Sequence, residues 1–171
     1  MQLFTLRPWQ EEDAESVAAA ANNPKIAANL RNVFPSPYTL ADAVWYVGDC
    51  IAQGEARQLT RAIVVNGKAA GSIGVFLQGD VYEKSAELGY WLAEEHWGKG
   101  IMTEAVRQIC QEAFGHFDII RIFAEPFTDN LGSRRVLEKA GFTREGTMRS
   151  GVYKNGQIHS YCVYALLRDE L

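Results

Sequence analysis

The sequence predicts an α+β fold, a mostly antiparallel twisted central sheet of about seven strands flanked by about four helices. Strand-like and helix-like segments follow in the order β-α-α-β-β-β-α-β-α-β-β, which is not the strict alternation of a doubly wound sheet. Two Asn-Gly pairs, Asn66-Gly67 and Asn155-Gly156, each join two strand-like runs. Asn-Gly accepts positive φ at both central positions and so favours tight hairpins. The chain has 171 residues, of which 47% are hydrophobic, enough for one real core and close to the size of a single domain, 1–171.

Residues 2–7 alternate weakly and read as a short strand stopped by Pro8. Residues 11–21 read as a helix, with acidic residues crowding its first turn and Asn22-Asn23-Pro24 stopping it. An irregular stretch, Asn29 to Tyr38, carries Pro35 and Pro37. Thr39 with Asp42 three residues on forms an imperfect capping box, and Val44, Val47, Cys50 and Ile51 continue a helix to Gly54. Strands follow at 59–65 and 68–78, the latter broken by Gly71 and Gly74, and at 86–93, whose apolar run suits a buried strand. From Gly100 to Gly115 the residues Ile101, Met102, Ala105, Val106, Ile109, Cys110, Ala113 and Phe114 keep helical spacing. A strand at 119–124, a helix at 131–140 closed by Gly141, and strands at 142–149 and 158–167 complete the series. There is no internal repeat, low-complexity tract or linker.

Composition excludes several classes. Lys+Arg number 17 and Asp+Glu 21, a net charge of −4, which argues against a nucleic-acid partner. No apolar run approaches the ~18 residues of a membrane span, and the first residues lack the pattern of a signal peptide, so a cytoplasmic protein without a membrane partner is expected. Cys50, Cys110 and Cys162 are far apart and form no C-x-x-C pair, as expected of small buried hydrophobes rather than a disulfide framework. His96, His116 and His159 are equally scattered, so no metal is expected.

One segment carries chemistry. The strand at 86–93 leads through Glu94-Glu95-His96 into Trp97-Gly98-Lys99-Gly100-Ile101-Met102-Thr103, which opens a helix. Glycines there let backbone N–H groups approach a ligand, and the helix N-terminus adds about +0.5 charge, together an anion site. Lys99 adds charge or simply faces solvent. A Walker A loop fails at Ala93 and Gly100, and a dinucleotide fingerprint fails at Thr103. Asp118, about 20 residues on, stands where that fingerprint's ribose-binding acid would, which keeps a nucleotide-binding reading open.

The element order, the Trp97-to-Met102 segment, and Thr128-Asp129-Asn130-Leu131-Gly132-Ser133 followed by Leu137-Glu138-Lys139-Ala140-Gly141-Phe142 resemble the GNAT N-acetyltransferase superfamily. The branch most similar is the RimJ/RimL type of ribosomal-protein and small-amine acetyltransferases, and the ending Tyr164-Ala165-Leu166-Leu167-Arg168-Asp169 is also similar. The resemblance covers essentially the whole chain and implies acetyl transfer from acetyl-CoA to a primary amine, by direct attack in a ternary complex. The family's phosphate signature, Gln/Arg-x-x-Gly-x-Gly/Ala, falls on Trp97 to Met102, and only Gly100 matches a fixed position. The resemblance implies phosphate contacts from backbone at Gly98, Lys99, Gly100, Ile101, Met102 and Thr103, and pantetheine pairing with main chain at Tyr90, Trp91 and Leu92. Asn130 matches the pantetheine-binding asparagine, with Ser133 one turn on. Lys139, Arg134 and Arg135 are candidates for the 3′-phosphate, with surface solvation the plainer role of each.

Acetyl transfer needs a proton taken from the amine, an oxyanion stabilised, and a proton given to the leaving thiolate. Glu87 is the candidate base, with a solvated strand-end carboxylate as its plain alternative and Glu125 in reserve. The family's usual tyrosine acid is replaced by Leu137, which leaves Ser133 as the candidate hydroxyl, or as a first-turn serine bonding only backbone. The loop 29–38 is long enough to be functional, and the resemblance implies that it walls the acceptor site, with the Tyr153-Lys154-Asn155-Gly156 tip as an opposite rim or merely a turn. The acceptor is a protein N-terminus or a small amine, and the protein a monomer or homodimer. Leu137, Trp97 and Met102 keep open a catalytically inactive acyl-CoA-binding GNAT module as the second reading.

Overall fold

The computed structural model describes residues 2–171. Seven strands form one sheet in the order β1-β2-β3-β4-β5-β7-β6, where β1 is Thr5–Arg7, β2 Gln58–Val65, β3 Lys68–Leu77, β4 Ser85–Leu92, β5 Arg121–Ala124, β6 Thr143–Lys154 and β7 Gln157–Leu167. The α-helices are α1 Ala14–Ala21, α2 Pro24–Ala27, α3 Leu40–Gln53, α4 Ile101–His116 and α5 Leu131–Lys139. The described chain divides into two compact units, one running to Gly74 and including Tyr90–Ile101, the other Val75–Gly89 with Met102–Leu171.

In the first unit β1 runs antiparallel to β2, with Thr5 opposite Val64 and Arg7 opposite Ala62. Asn66 and Gly67 turn β2 into β3 with φ of 51° and 77°, both left-handed as the hairpin turn demands. Val17 and Ala21 of α1, Val47 and Cys50 of α3, Ala62 and Val64 of β2, and Trp91 share one apolar cluster. Helix α3 begins with a complete capping box: the Asp42 amide donates to Thr39 Oγ1 at 3.2 Å, and the Thr39 amide to Asp42 Oδ2 at 2.8 Å.

In the second unit β4 and β5 are parallel, Ser85 facing Arg121 and Glu87 facing Phe123. Parallel neighbours require a crossover, and α4 supplies it. Ala105, Val106, Ile109, Cys110 and Ala113 of α4 are fully buried, the stripe its periodicity predicts. Burial pushes the Cys110 thiol up to about 12, leaving it an inert hydrophobe. Strand β7 is antiparallel to both β5 and β6. Ile122, Leu137 and Tyr164 are also completely buried.

The structure corrects several boundaries: β1 starts at Thr5 rather than residue 2, and Glu11–Asp13 form a 3-10 turn before α1 begins at Ala14. Asn22-Asn23-Pro24 ends α1 but also starts α2, because Asn23 Oδ1 accepts the Lys25 amide at 2.9 Å and Pro24 occupies the first helical position. Strand β6 continues past 149 to Lys154, interrupted by a register shift between Met148 and Val152, where Ser150 has φ of 55°. Strand β5 starts at Arg121 rather than 119. Among the described residues the α-helices therefore number five, four of them of seven residues or more. Among the described residues no helix is long and apolar enough to cross a membrane.

Candidate active site

In the first unit the site segment starts at the last residues of β4. Trp91 and Leu92 are buried and Tyr90 is half-buried. A Cβ built on Gly71 of β3 would lie 2.5 Å from the Trp91 carbonyl oxygen and 3.2 Å from Leu92 Cα, so glycine alone lets β3 pass this close to the end of β4. Trp91 also receives Phe34 edge-on, with ring centroids 6.0 Å apart, and Phe34 meets Tyr38 at 5.0 Å. Two residues of the loop 29–38 thus pack toward the strand end.

A single 3-10 turn, Glu94–His96, follows β4, and Trp97 donates its indole N–H to the Leu92 carbonyl at 2.7 Å. The departure at Trp97 therefore has a structural use: it ties the loop back onto the strand that precedes it. Glu94 pairs with Lys25 at 2.9 Å, and that bond holds its carboxyl below the ordinary value. Gly98 and Gly100 have φ of 72° and 80°, and a Cβ at either would meet nothing within 4 Å. Their need for glycine is thus conformational and not steric, and the loop is open toward solvent where a ligand would lie. Lys99 is exposed.

The loop runs directly into the 16-residue α4, whose first-turn N–H groups have no intrahelical acceptors. Ile101 and Met102 are buried at 3% and 8% exposure, so the bulk at Met102 is spent in packing. Thr103 is half-buried. Two left-handed glycines opening into a long helix N-terminus fit an anionic group held by backbone.

In the second unit Glu87 is the third residue of β4, half-buried and paired in register with Phe123. Glu125, just past the end of β5, is also half-buried. Asn130 caps α5 by accepting the Ser133 amide on Oδ1 at 3.2 Å, which commits its oxygen and leaves its Nδ2 donors uncommitted among the described residues. Asn130 and Ser133 are both half-buried and are brought together by this cap. Leu137, at the position of the family's tyrosine, is completely buried and offers no hydroxyl. Asp118 is ion-paired to Lys84, which holds its carboxyl below the ordinary value.

Two positions hold roles that the sequence reading does not assign them. Gly71 registered only as a strand break, although an isolated strand glycine signals close backbone approach. Arg134 counted as a phosphate candidate, whereas its Nη1 donates to the Thr128 carbonyl at 2.9 Å and its Nε to Tyr164 Oη at 3.3 Å.

A family model described as an acetyltransferase (GNAT) domain matches residues 4–143. The Bacillus subtilis (strain 168) protein named "Probable N-acetyltransferase YjcK" is 47% identical over 87 residues, 51% of this chain and 48% of that protein. The ribosomal-protein-serine acetyltransferase of Escherichia coli (strain K12) is 30% identical over 86 residues, 50% of this chain and 48% of that protein. The chain thus spans about half the length of these curated relatives. Among solved structures, the microcin C7 self-immunity acetyltransferase MccE, in complex with acetyl-CoA and AMP, superposes with a TM-score of 0.83 at 26% identity, covering 98% of this chain and 93% of that one.

Proposed function

This chain belongs to the GNAT acetyltransferase family, and from that membership we propose that it transfers the acetyl group of acetyl-CoA to a primary amine, either a protein N-terminal amine or a small-molecule amine. The observation that carries the reading is the glycine pair, with φ of 72° and 80°, opening into the 16-residue α4 with nothing within 4 Å of a Cβ at either. In this reading the backbone from Gly98 to Thr103 holds the coenzyme phosphates, the main chain of Tyr90, Trp91 and Leu92 pairs with pantetheine, and Asn130 donates to it from Nδ2. MccE was solved with acetyl-CoA, and the Escherichia coli relative is named for acetylating a ribosomal-protein serine; both support this class of chemistry.

The chemistry assigned to the chain is proton handling. Glu87, directly or through one water, takes a proton from the ammonium form of the acceptor. The amine nitrogen then bonds to the acetyl carbon and the carbon–sulfur bond breaks; Ser133 gives its proton to the leaving thiolate, and the second proton shed by the acylated nitrogen restores the Ser133 hydroxyl through solvent.

Leu137 favours a second reading, an inactive acyl-CoA-binding module, because its buried side chain replaces the expected phenol. Thermal shift with acetyl-CoA, coenzyme A, NAD and ATP, followed by thiol release over an amine panel, decides between them. A ligand at 100 times its Kd stabilises the fold by about 2.7 kcal/mol, or roughly 5–10 °C for a chain of this size. A shift with both coenzyme A forms plus thiol release supports the enzyme. The same shift with no release on any amine supports the module, and no shift with either coenzyme form at millimolar concentration overturns both.

A further inference from the structure

Residues 125–130 join β5 to α5, and β7 holds this segment at Pro126 and Thr128. The Cys162 amide donates to the Pro126 carbonyl and the Thr128 amide to the Ser160 carbonyl, both at 2.9 Å. The Asn130 amide closes back on the Phe127 carbonyl, also at 2.9 Å. The Thr128 carbonyl is taken by a side chain, Arg134 Nη1, at 2.9 Å. Arg134 lies one turn along α5 from Asn130, and its Nε donates to Tyr164 Oη at 3.3 Å. Tyr164 Oη in turn donates to Glu138 Oε1 at 2.7 Å.

Tyr164 is on β7 and fully buried, so its hydroxyl costs stability unless bonded, and phenylalanine would pack there without that requirement. Here the hydroxyl makes two bonds, accepting from the guanidinium that grips Thr128 and donating to the next turn of the same helix. A flat guanidinium with two fixed donors, held from behind by a buried hydroxyl, sets an angle as well as a distance. The group whose angle it sets is the peptide two residues before Asn130.

We propose that Arg134 and Tyr164 are positioning residues of the coenzyme site, locking Thr128–Asn130 so that the Asn130 amide is presented to pantetheine. The inference rests on the acetyl-CoA reading above. It also gives Arg134 a role other than the 3′-phosphate contact, since its Nη1 and Nε each donate to a protein acceptor.

The test measures the Kd of acetyl-CoA and of its 3′-dephospho form by calorimetry for the full chain and two variants, Tyr164→Phe and Arg134→Lys. Tyr164→Phe keeps the ring and loses the hydroxyl, and Arg134→Lys keeps the charge but loses the fork. Each is expected to raise Kd about two- to tenfold, the scale of one ordinary hydrogen bond since the effect on pantetheine is indirect, equally for both coenzyme forms. In turnover assays the loss falls on the KM for acetyl-CoA rather than on kcat. A loss seen with acetyl-CoA but absent with the dephospho form would mean that Arg134 meets the phosphate itself, and would overturn the proposal. So would unchanged Kd values alongside a lowered Tm, which would make the network purely structural. If Tyr164→Phe fails to fold, Arg134→Lys alone decides. A wild-type chain that binds neither form overturns the coenzyme reading and this inference with it, whereas wild-type binding left intact in both variants overturns this inference alone.

Discussion

Replacing Gly100 by alanine isolates the conformational demand of the glycine loop. Gly100 has φ of 80°, and an added Cβ would find nothing within 4 Å, so the substitution brings no clash. The cost is the left-handed backbone, roughly 1–2 kcal/mol for a residue with a Cβ. That energy has two places to go. If the loop keeps its shape in the free protein, the fold loses it and Tm falls by roughly 2–8 °C at about 2–4 °C per kcal/mol. If the loop instead relaxes to negative φ, Tm holds, but coenzyme binding must restore the strained shape, and affinity falls about 5- to 30-fold, a decade per 1.4 kcal/mol. Differential scanning fluorimetry and calorimetry with acetyl-CoA on the same preparation measure both parts. Their sum is expected to reach at least 1 kcal/mol, with Gly100→Asn recovering part of it because asparagine tolerates this region. Wild-type values for both Tm and Kd in Gly100→Ala would refute the idea that this conformation builds the site.

Glu87→Gln is expected to lower kcat about a hundredfold or more at neutral pH, in the range for loss of a general base; thiol release measures it, and an undiminished kcat removes Glu87 from the role. Ser133→Ala should lower kcat at least about tenfold if its hydroxyl is the acid, and an unchanged value leaves it as a helix first-turn residue. Gly71→Ala forces the new Cβ to within 2.5 Å of the Trp91 carbonyl oxygen and is expected to cost about 1–3 kcal/mol and to weaken acetyl-CoA binding, since the strand end at Tyr90–Leu92 must move; a wild-type melting curve would count against the tight approach. Burial pushes the Asp13 carboxyl up, but the paired bonds from Arg7 at 2.7 and 2.8 Å and the Gln10 amide outweigh it and hold it below 3.8. A depressed folded value means that its stabilisation is full above the unfolded pKa and is lost as pH falls through the folded one. Asp13→Asn is therefore expected to lower stability by about 1–3 kcal/mol at pH 7 and to flatten the fall of Tm as pH drops below the ordinary carboxylate pKa of about 4, read from melts across acid pH.

What was legible in the sequence is what local chemistry controls. Asn66-Gly67 and Asn155-Gly156 form the turns their dipeptides demand, and the apolar spacing of α4 is its buried stripe. The same tight turn at Asn155-Gly156 held the clue to the missed end of β6: a two-residue hairpin needs paired residues on both sides, so Val152–Lys154 had to be strand whatever Ser150 and Gly151 did before them. At α2 one residue served two elements, Asn23 ending the approach from α1 while capping its own helix, and a reading by punctuation assigns such a residue only once. The site divides similarly. Gly98 and Gly100 are visible because their conformation is a property of the residue. The roles of Gly71 and Arg134 arise from partners 20 and 30 positions away, Trp91 and Tyr164, and no local pattern encodes such pairings.

Three departures from the family pattern, Trp97, Met102 and Leu137, bear on whether the chain turns over or only binds. Trp97 returns a hydrogen bond to Leu92 and Met102 is buried, so both changes are absorbed without disturbing the glycines between them. In the proposed reading they alter side chains where the backbone holds the coenzyme. Leu137 differs in kind, because it removes a donor that nothing at that position replaces. Yet the leaving group is a thiol, with an ordinary pKa near ~8.5, and a thiolate departs from carbon far more readily than an alkoxide or amide would. Loss of the phenol therefore slows release without forbidding it, whether Ser133 or solvent gives the proton. The inactive-module reading then needs more than Leu137 to sustain it: it needs the amine to find no base, and that places the decision on Glu87.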